Sequence, residues 1–441
     1  MRWSLGIVTT PVKQPGASSQ LPELVTALPG GFGICAPAVV AGSCESSAPR
    51  YRDGVTELRT DPLDHPAADG LDGRLDEMLD DLRSLVEVES PSLDLDALQT
   101  SAEGLASLIE RHLGSPATLV DSDRGPHVHW SGGGEPSVLL LGHHDTVFPI
   151  GSLAARPFTV ADGRATGPGV FDMLGGIVQA LYGLATLDDL TGVELLFSAD
   201  EEIGSLASRE LIEERARACG AVLVLEPSAD GGVLKTGRKG CGTFEVVVAG
   251  RAAHAGLEPE NGVNALVEAS RQVLAINEIG RPDVGTTVTP TMAIAGTADN
   301  VVPAEARIKV DVRVESAAEK DRVEAAMAAL VPFDAAAAID VLGGVNRPPM
   351  PESASVTLMP LAERVAPGLG GMAVGGGSDG NFTAAIGVPT LDGLGAVGGG
   401  AHADHEWIDV TVMPARARLI AGIVRELLTT PRTANAPTVN A

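Results

Sequence analysis

The chain has 441 residues, 44% of them apolar but only 3% aromatic, with 53 glycines, 30 prolines and a formal charge of −27. That length suffices for two domains at ~100–200 residues each, with cores built mainly from Ala, Val, Leu and Ile. So acidic a chain argues against nucleic acid, which needs a clustered basic surface, and no run of ~18 uninterrupted apolar residues offers a membrane span. The cysteines, Cys35, Cys44, Cys219 and Cys241, show no C-x-x-C spacing, which argues against a disulfide framework or a cysteine zinc site and for a reducing compartment. Only Arg2 precedes an N-terminal apolar run broken by Pro11 and Lys13, a poor match to a signal peptide. A cytoplasmic protein is expected.

Residues 1–70, rich in Gly, Pro, Ser, Ala and Asp without a sustained period, read as a disordered extension, and residues after Pro431 as a disordered tail. Helical spacing begins with Leu75, Met78, Leu79, Leu82, Leu85 and Val86 and stops before Pro91; a second amphipathic helix covers Asp96–Leu113 and ends at Gly114. Ser137–Leu141 is a buried-strand run leading into Gly142-His143-His144-Asp145, where i and i+2 side chains share a face, so His143 and Asp145 point the same way. That is the arrangement of a metal-binding imidazole backed by a carboxylate. Asp172 lies on the glycine-flanked Gly167–Gly176 segment ahead of a helix over Ile177–Leu187, where a helix-capping role is the plain alternative. The strand Val193–Phe197 runs into Asp200-Glu201-Glu202-Ile203-Gly204. On extended backbone those two glutamates diverge, so that one can hold a metal while the other faces a water or a scissile bond. A helix over Leu206–Ala218 and a strand over Ala221–Leu225 follow, and that strand runs into Glu226.

Three apolar strands separated by helices thus end in metal-capable residues, which predicts β-α-β units, a mostly parallel sheet and a site beyond the strands' carboxyl ends. From Gly240 the character changes to alternating strands (Thr243–Ala249, Thr286–Ala295, Arg307–Glu315) with helices over Gly262–Asn277 and Ala317–Leu330. This is an α+β insert ending near Arg347. The α/β character returns with a helix opening at Gly375–Asn381, whose amides can hold an anion, a strand over Val388–Leu394, a glycine-rich loop carrying His402, His405 and Glu406, and a closing helix over Met413–Leu428.

His143, Asp172, Glu202, Glu226 and a late histidine make a nitrogen and oxygen ligand set suited to Zn²⁺, with Co²⁺ or Mn²⁺ as alternatives. Five ligands are too many for one tetrahedral zinc but suit two metals ~3.5–4 Å apart that hold a water and polarise a carbonyl. Glu201, beside a ligand yet outside the set, is placed to move that water's proton to a leaving amine. His127, His129, His144 and His405 read as surface or supporting residues, and Cys241 as a packed hinge residue.

The motifs His143-x-Asp145, Gly-Pro-Gly-x-x-Asp172, Asp200-Glu201-Glu202-x-Gly204-Ser205, Glu226-Pro227 and Gly-x-x-His402 occur in an order that resembles the dinuclear-zinc glutamate carboxypeptidase family, which also holds acetylornithine deacetylase and succinyl-diaminopimelate desuccinylase. The resemblance covers about residues 71–428. It implies a discontinuous catalytic α/β domain over 71–239 and 348–430 with a mostly parallel sheet, and an inserted ferredoxin-like dimerisation or lid domain over 240–347. It implies two Zn²⁺ per subunit held by His143, Glu202, Glu226 and His402 with Asp172 bridging, Asp145 orienting His143, and Glu201 as general base. His254, in Ala253-His254-Ala255-Gly256, would reach the partner subunit's site in a homodimer as an oxyanion stabiliser. Asn300, Arg313, Arg347 and Ser378 would contact the substrate, a small peptide or an N-acyl amino acid cleaved at the amide bond beside a free carboxylate. A deacetylase or desuccinylase activity is the alternative, and a metal-free binding protein on the same fold the remaining one. Leu174 departs from the pattern, standing where many relatives carry Lys.

Overall fold

The computed structural model describes residues 70–429. Its central sheet has six strands in the order Thr118–Val120, His127–Ser131, Val193–Ser198, Val138–His143, Val222–Val224 and Thr390–Leu391. The last four run parallel, and the first two form an antiparallel hairpin added antiparallel to the 193–198 strand. Every residue of Val138–His143 and Val193–Ser198 is buried, as a sheet covered on both faces requires.

Alternation along the 138–143 strand feeds two cores. Val138 and Leu140 pack with the helices Leu75–Val86, Leu95–Leu113, Gly175–Leu184 and Met413–Thr429, while Leu139 and Leu141 pack with Ile212 and Ala216 of helix Arg209–Cys219. Each such side chain contributes roughly 1.5–3 kcal/mol by leaving water, which fixes where the strand ends stand. Helix Leu95–Leu113 starts where the Asp94 carboxylate accepts the Ala97 N–H and stops at Gly114 with φ 74°. Helix Gly175–Leu184 crosses the end of the 222–224 strand at Gly176, where a Cβ would lie 2.2 Å from the Leu225 carbonyl oxygen. That approach, open only to glycine, presses the turn carrying Asp172 against the segment carrying Glu226.

Between residues 240 and 347 the chain builds a separate antiparallel sheet in the order Thr287–Ala295, Glu305–Val314, Gly240–Ala249 and Ala338–Arg347. Helices Ala265–Asn277 and Ala317–Ala328 accompany it. The alternating residues Phe244, Val246, Val248, Ile308, Val310, Val312 and Val314 point into this sheet's own core. The connectivity is β-α-β-β-α-β. Arg347 pairs in register with Cys241, so the chain enters and leaves on adjacent strands.

Several sequence expectations change in detail. The strand over 338–347 has no clean alternation, because Gly343-Gly344 and a register shift before Arg347 interrupt it. The strand expected over 388–394 shrinks to Thr390–Leu391, ended by a turn at Gly393 with φ 78°. The helix expected from Leu206 begins at Arg209 because Asp200 Oδ2 takes the Ala207 N–H at 2.7 Å and holds the intervening residues in a turn. The expectations for residues 1–69 and for the chain after 429 lie outside the described residues.

Gly176→Ala is expected to cost on the order of 1–3 kcal/mol by overpacking against the Leu225 carbonyl. It would be read as a lower urea midpoint with an unchanged slope; an unchanged midpoint would contradict the close approach.

Candidate metal centre

The strands Val193–Ser198, Val138–His143 and Val222–Val224 are neighbours, so their carboxyl ends bring the Glu201–Glu202 turn, His143 and Glu226 to one place. Asp172 arrives on the turn before helix Gly175–Leu184 with non-helical φ −112° and ψ 86°. It does not cap that helix, whose N-cap position is Leu174. His402 arrives on the loop between the paired segments Gly398–Gly399 and Trp407–Asp409, at φ 62°. The two glutamates stand in a 3-10 turn, Glu201–Ile203, rather than on extended backbone; they still diverge, because consecutive helical residues point to different sides.

Asp172 stands between two histidines, its Oδ1 3.3 Å from His143 Nε2 and its Oδ2 3.2 Å from His402 Nε2. Glu226 Oε1 lies 3.6 Å from His143 Nε2, and Glu202 Oε2 3.1 Å from His402 Nε2. Two donor groups result, one of His143 and Glu226 and one of His402 and Glu202, with Asp172 common to both. The fit to divalent cations is a matter of donor chemistry and charge. One donor atom each from His143, Asp172 and Glu202 lies within 4.8 Å of the others, and Glu202 Oε1 is buried without a hydrogen-bond partner. Asp145, Asp172, Glu201, Glu202, Glu226 and Asp379 crowd a region where Arg238 and Arg347 are the buried cations. Uncompensated buried carboxylates are costly, and two dications would balance them.

Protonation follows the same logic. Hydrogen bonds to Asp172 and Glu202 raise His402 to about 11. Burial alone would lower His143, but its contacts with Asp145 and Asp172 carry it well above the usual imidazole range. Burial would raise Asp172, yet the two histidines hold it far below the ordinary carboxylate value. Burial raises Glu202, and with the Asp172 charge raises Glu226 to about 7. Burial also raises Glu201, against the pull of Arg347.

The supporting contacts are more extensive than the sequence indicated. Asp145 accepts the backbone N–H groups of Glu201 and Glu202, each at 3.2 Å, and the Ser92 hydroxyl at 2.7 Å. His143 Nδ1 lies 2.9 Å from the Asp145 carbonyl oxygen and 3.4 Å from its carboxylate, so Asp145 meets His143 through its main chain as well as its side chain. Arg238 donates to both oxygens of Asp392 at 2.7 and 2.8 Å, with Glu226 3.6 Å away. Arg238 was not legible as a site residue, since its partners come from distant segments, and Asp379, expected only as part of an anion-binding helix start, faces Arg347 and Ser198.

A cleft of about 660 Å³ opens beside Glu201 and Glu202, and its walls include Cys241, Asp311, Arg313 and Arg347 but neither His254 nor Asn300. Those two are exposed and lie on adjoining segments: the Ala255 N–H donates to the Asn300 carbonyl at 2.9 Å, and His254 pairs with Val301. Ser378 requires a correction. It is fully buried and its hydroxyl donates to Asp392 at 2.7 Å, while the Gly380 and Ser378 amides already serve Ser378 Oγ and Asn381 Oδ1. The Ser378 hydroxyl and these two amides are thus answered within the protein. Arg347, only 4% exposed, spends Nη2 on Glu201 at 2.8 Å, Ser205 at 2.9 Å and Asp379 at 3.1 Å. His144 is buried against Ser101 and Pro126, His127 accepts the Ala199 N–H, and His129 meets Glu194.

The family model described as Peptidase family M20/M25/M40 matches residues 139–426. Carboxypeptidase G2 of Pseudomonas sp. (strain RS-16) is 35% identical over an alignment of 314 residues that covers 67% of this chain and 75% of that protein. Succinyl-diaminopimelate desuccinylase 1 of Alteromonas mediterranea is 32% identical over an alignment of 238 residues that covers 49% of this chain and 59% of that protein. Among solved structures, the M20 family metallo-carboxypeptidase Sso-CP2 from Sulfolobus solfataricus superposes with a TM-score of 0.62 at 16% identity, covering 80% of this chain and 99% of that one.

At neutral pH these shifts keep His143 and His402 protonated without a metal, whereas a metal ligand must be neutral imidazole. Metal binding is therefore expected to release protons, and affinity to rise with pH through the range below the raised histidine values. Zn²⁺ added to chelator-treated protein in weak buffer should acidify the solution; no proton release would contradict the ligand assignment.

Proposed function

Because the chain belongs to peptidase family M20/M25/M40, whose members are metal-dependent hydrolases, we propose that it is a carboxypeptidase-type enzyme cleaving an amide bond beside a free carboxylate in a small peptide or N-acyl amino acid. The observation that carries this reading is Asp172 shared between two histidines, with Glu201 adjacent to a donor but outside the set. In it, His143, Glu226, Asp172, Glu202 and His402 are the residues that would hold the divalent ions. Zinc there, or cobalt or manganese in its place, would supply Lewis acidity toward the scissile carbonyl and the attacking water.

The protein's own part is proton movement and orientation. Glu201 accepts the proton that water gives up as its oxygen bonds to the carbonyl carbon, then delivers it to the nitrogen as the carbon–nitrogen bond breaks. A carboxyl raised by burial suits a group that must both take and release that proton. The Arg347 contacts hold Glu201 in place. Asp145, gripping the amides of both glutamates, keeps base and ligand at a fixed separation. Arg313 gives the cleft a cation for the substrate carboxylate, braced by Asp311 through bonds of 3.1 and 2.9 Å.

The reading includes a homodimer. The edge strand Thr287–Ala295 exposes Met292 and Ile294, 56% and 63% accessible, and the neighbouring helix Ala265–Asn277 exposes Leu274 at 71%. Such an edge favours pairing with a second copy. His254 Nδ1 accepts the Gly256 and Leu257 N–H groups at 3.1 and 3.2 Å, which leaves the ring proton on Nε2 as a donor to a developing oxyanion in the partner subunit, beside Asn300. A cytoplasmic setting is part of the reading, in keeping with cysteines that show no C-x-x-C spacing.

Glu201→Gln should keep its metals and lose about 10²–10⁴ in kcat; near-normal turnover would refute the base assignment. Mixing Glu201→Gln chains with His254→Ala chains should restore activity, since one hybrid site then has both groups, to about a quarter of wild type with random pairing. No recovery on mixing would refute the role across the interface. A substrate panel of acyl-glutamate, acetylornithine and succinyl-diaminopimelate separates the carboxypeptidase reading from a deacylase, and preference for either of the latter two would overturn the former.

A further inference from the structure

Glu406 is fully buried, four residues beyond His402, and among the described residues its carboxylate accepts hydrogen bonds from backbone N–H groups of the segment that carries Asp172. Oε1 accepts from Phe171 at 2.8 Å and from Asp172 itself at 2.9 Å, and Oε2 accepts from Gly169 at 3.0 Å. These amides lie 234 to 237 residues away in the chain. The turn they belong to is irregular: Gly169 has φ 74°, and Asp172 departs from helical geometry between the short Arg164–Thr166 strand and helix Gly175–Leu184. No regular ladder bonds its amides, so the carboxylate does what a secondary-structure partner would otherwise do.

The other end of the connection is equally short. The Ala403 N–H donates to the Gly400 carbonyl at 2.9 Å, the Glu406 N–H to the Ala403 carbonyl at 3.1 Å, and Arg156 Nη1 reaches the same Ala403 carbonyl at 3.4 Å. His402 is thus tied by consecutive turns to Glu406, and Glu406 by three bonds to the 169–172 turn, one of them from the Asp172 amide itself. His402 itself has a side chain 52% exposed, and its Nε2 lies 3.2 Å from Asp172. On the same loop Asp404 meets Arg156 at 3.7 Å, and His402 itself also meets Glu202 at 3.1 Å.

We propose that Glu406 is the positioning residue of the metal centre, setting the Asp172 carboxylate and His402 in register so that both metal-binding steps depend on it. The proposal rests on the two-metal reading above. Glu406 is outside the donor groups and does not line the cleft beside Glu201 and Glu202. Its lever is that Asp172 is common to both donor groups, so a shift of the 169–172 turn weakens both sites, whereas loss of Glu226 or Glu202 weakens one. A carboxylate is required by the donor pattern: three N–H groups converge on it, and an amide would turn an NH₂ group toward at least one of them.

The test uses the full chain stripped of metal and titrated with Co²⁺ and Zn²⁺ against a chromophoric chelator, comparing wild type, Glu406→Gln and Glu406→Asp. Loss of a residue that orients ligands costs about 10–100-fold in metal affinity. We expect Glu406→Gln to weaken both binding steps by that factor and to change the Co²⁺ absorption bands. Its metal-free melting should match wild type, and Glu406→Asp should regain part of the affinity because it keeps an all-acceptor head group. Should the Gln variant fail to fold, the Asp variant carries the comparison, with a smaller loss expected in both steps. Wild-type dissociation constants and Co²⁺ bands in a folded variant would overturn the proposal, as would weakening of one step alone. So would a fall in metal-free melting that accounts for the whole loss without rescue by Asp. If wild-type chain itself bound no Co²⁺ or Zn²⁺, the two-metal function would fall with it; binding by wild type and variants alike removes only the role of Glu406.

Discussion

The arrangement depends on one carboxylate facing two ways. Asp172 presents Oδ1 to His143 and Oδ2 to His402, and these histidines come from a central strand and from a loop some 259 positions later. A carboxylate has two oxygens at a fixed spacing, so it can serve two neighbours only if both sides are delivered with ångström precision. The sheet provides one side: His143 ends a strand whose every residue is buried. The glycine contact of Gly176 with the Leu225 carbonyl provides the relation between the Asp172 turn and Glu226. The loop holding His402 is exposed, and must be tied down by side chains.

Charge is the second constraint. The protein carries −27 overall and places more carboxylates than cations around this centre, several of them buried. In such a setting histidines and glutamates both rise in pKa, as with His402 and Glu226. Protons are a partial remedy, and divalent cations a complete one. The same crowding separates the roles of two adjacent residues. Glu202 faces His402, whereas Glu201 turns to Arg347 on the last strand of the inserted sheet, so the proposed base is held from the domain that also walls the cleft.

Much of this was legible in the sequence because strand ends are legible. Apolar runs closing on His143, Glu201–Glu202 and Glu226 announced a parallel sheet with a site beyond its carboxyl edge, and glycines around Asp172 marked a turn. What stayed hidden involves partners from remote segments. Ser378 looked like an anion-binding helix start, but Asp392 and Asn381 occupy its bonding capacity. Arg347 looked like a substrate anchor, and its buried contacts are with Glu201, Ser205 and Asp379. Glu406 sat in a glycine-rich loop with nothing local to suggest that it grips residues 169–172. The strand 338–347 escaped because a Gly-Gly pair breaks its period.

The central claim is that Asp172 is shared by two metal ions. It is tested most directly by anomalous diffraction at the zinc absorption edge from crystals of the wild-type chain grown with Zn²⁺. The account predicts two peaks about 3.5–4 Å apart, one on each oxygen of Asp172, the first beside His143 and Glu226 and the second beside His402 and Glu202. A single peak, or a pair that does not share Asp172, would contradict it.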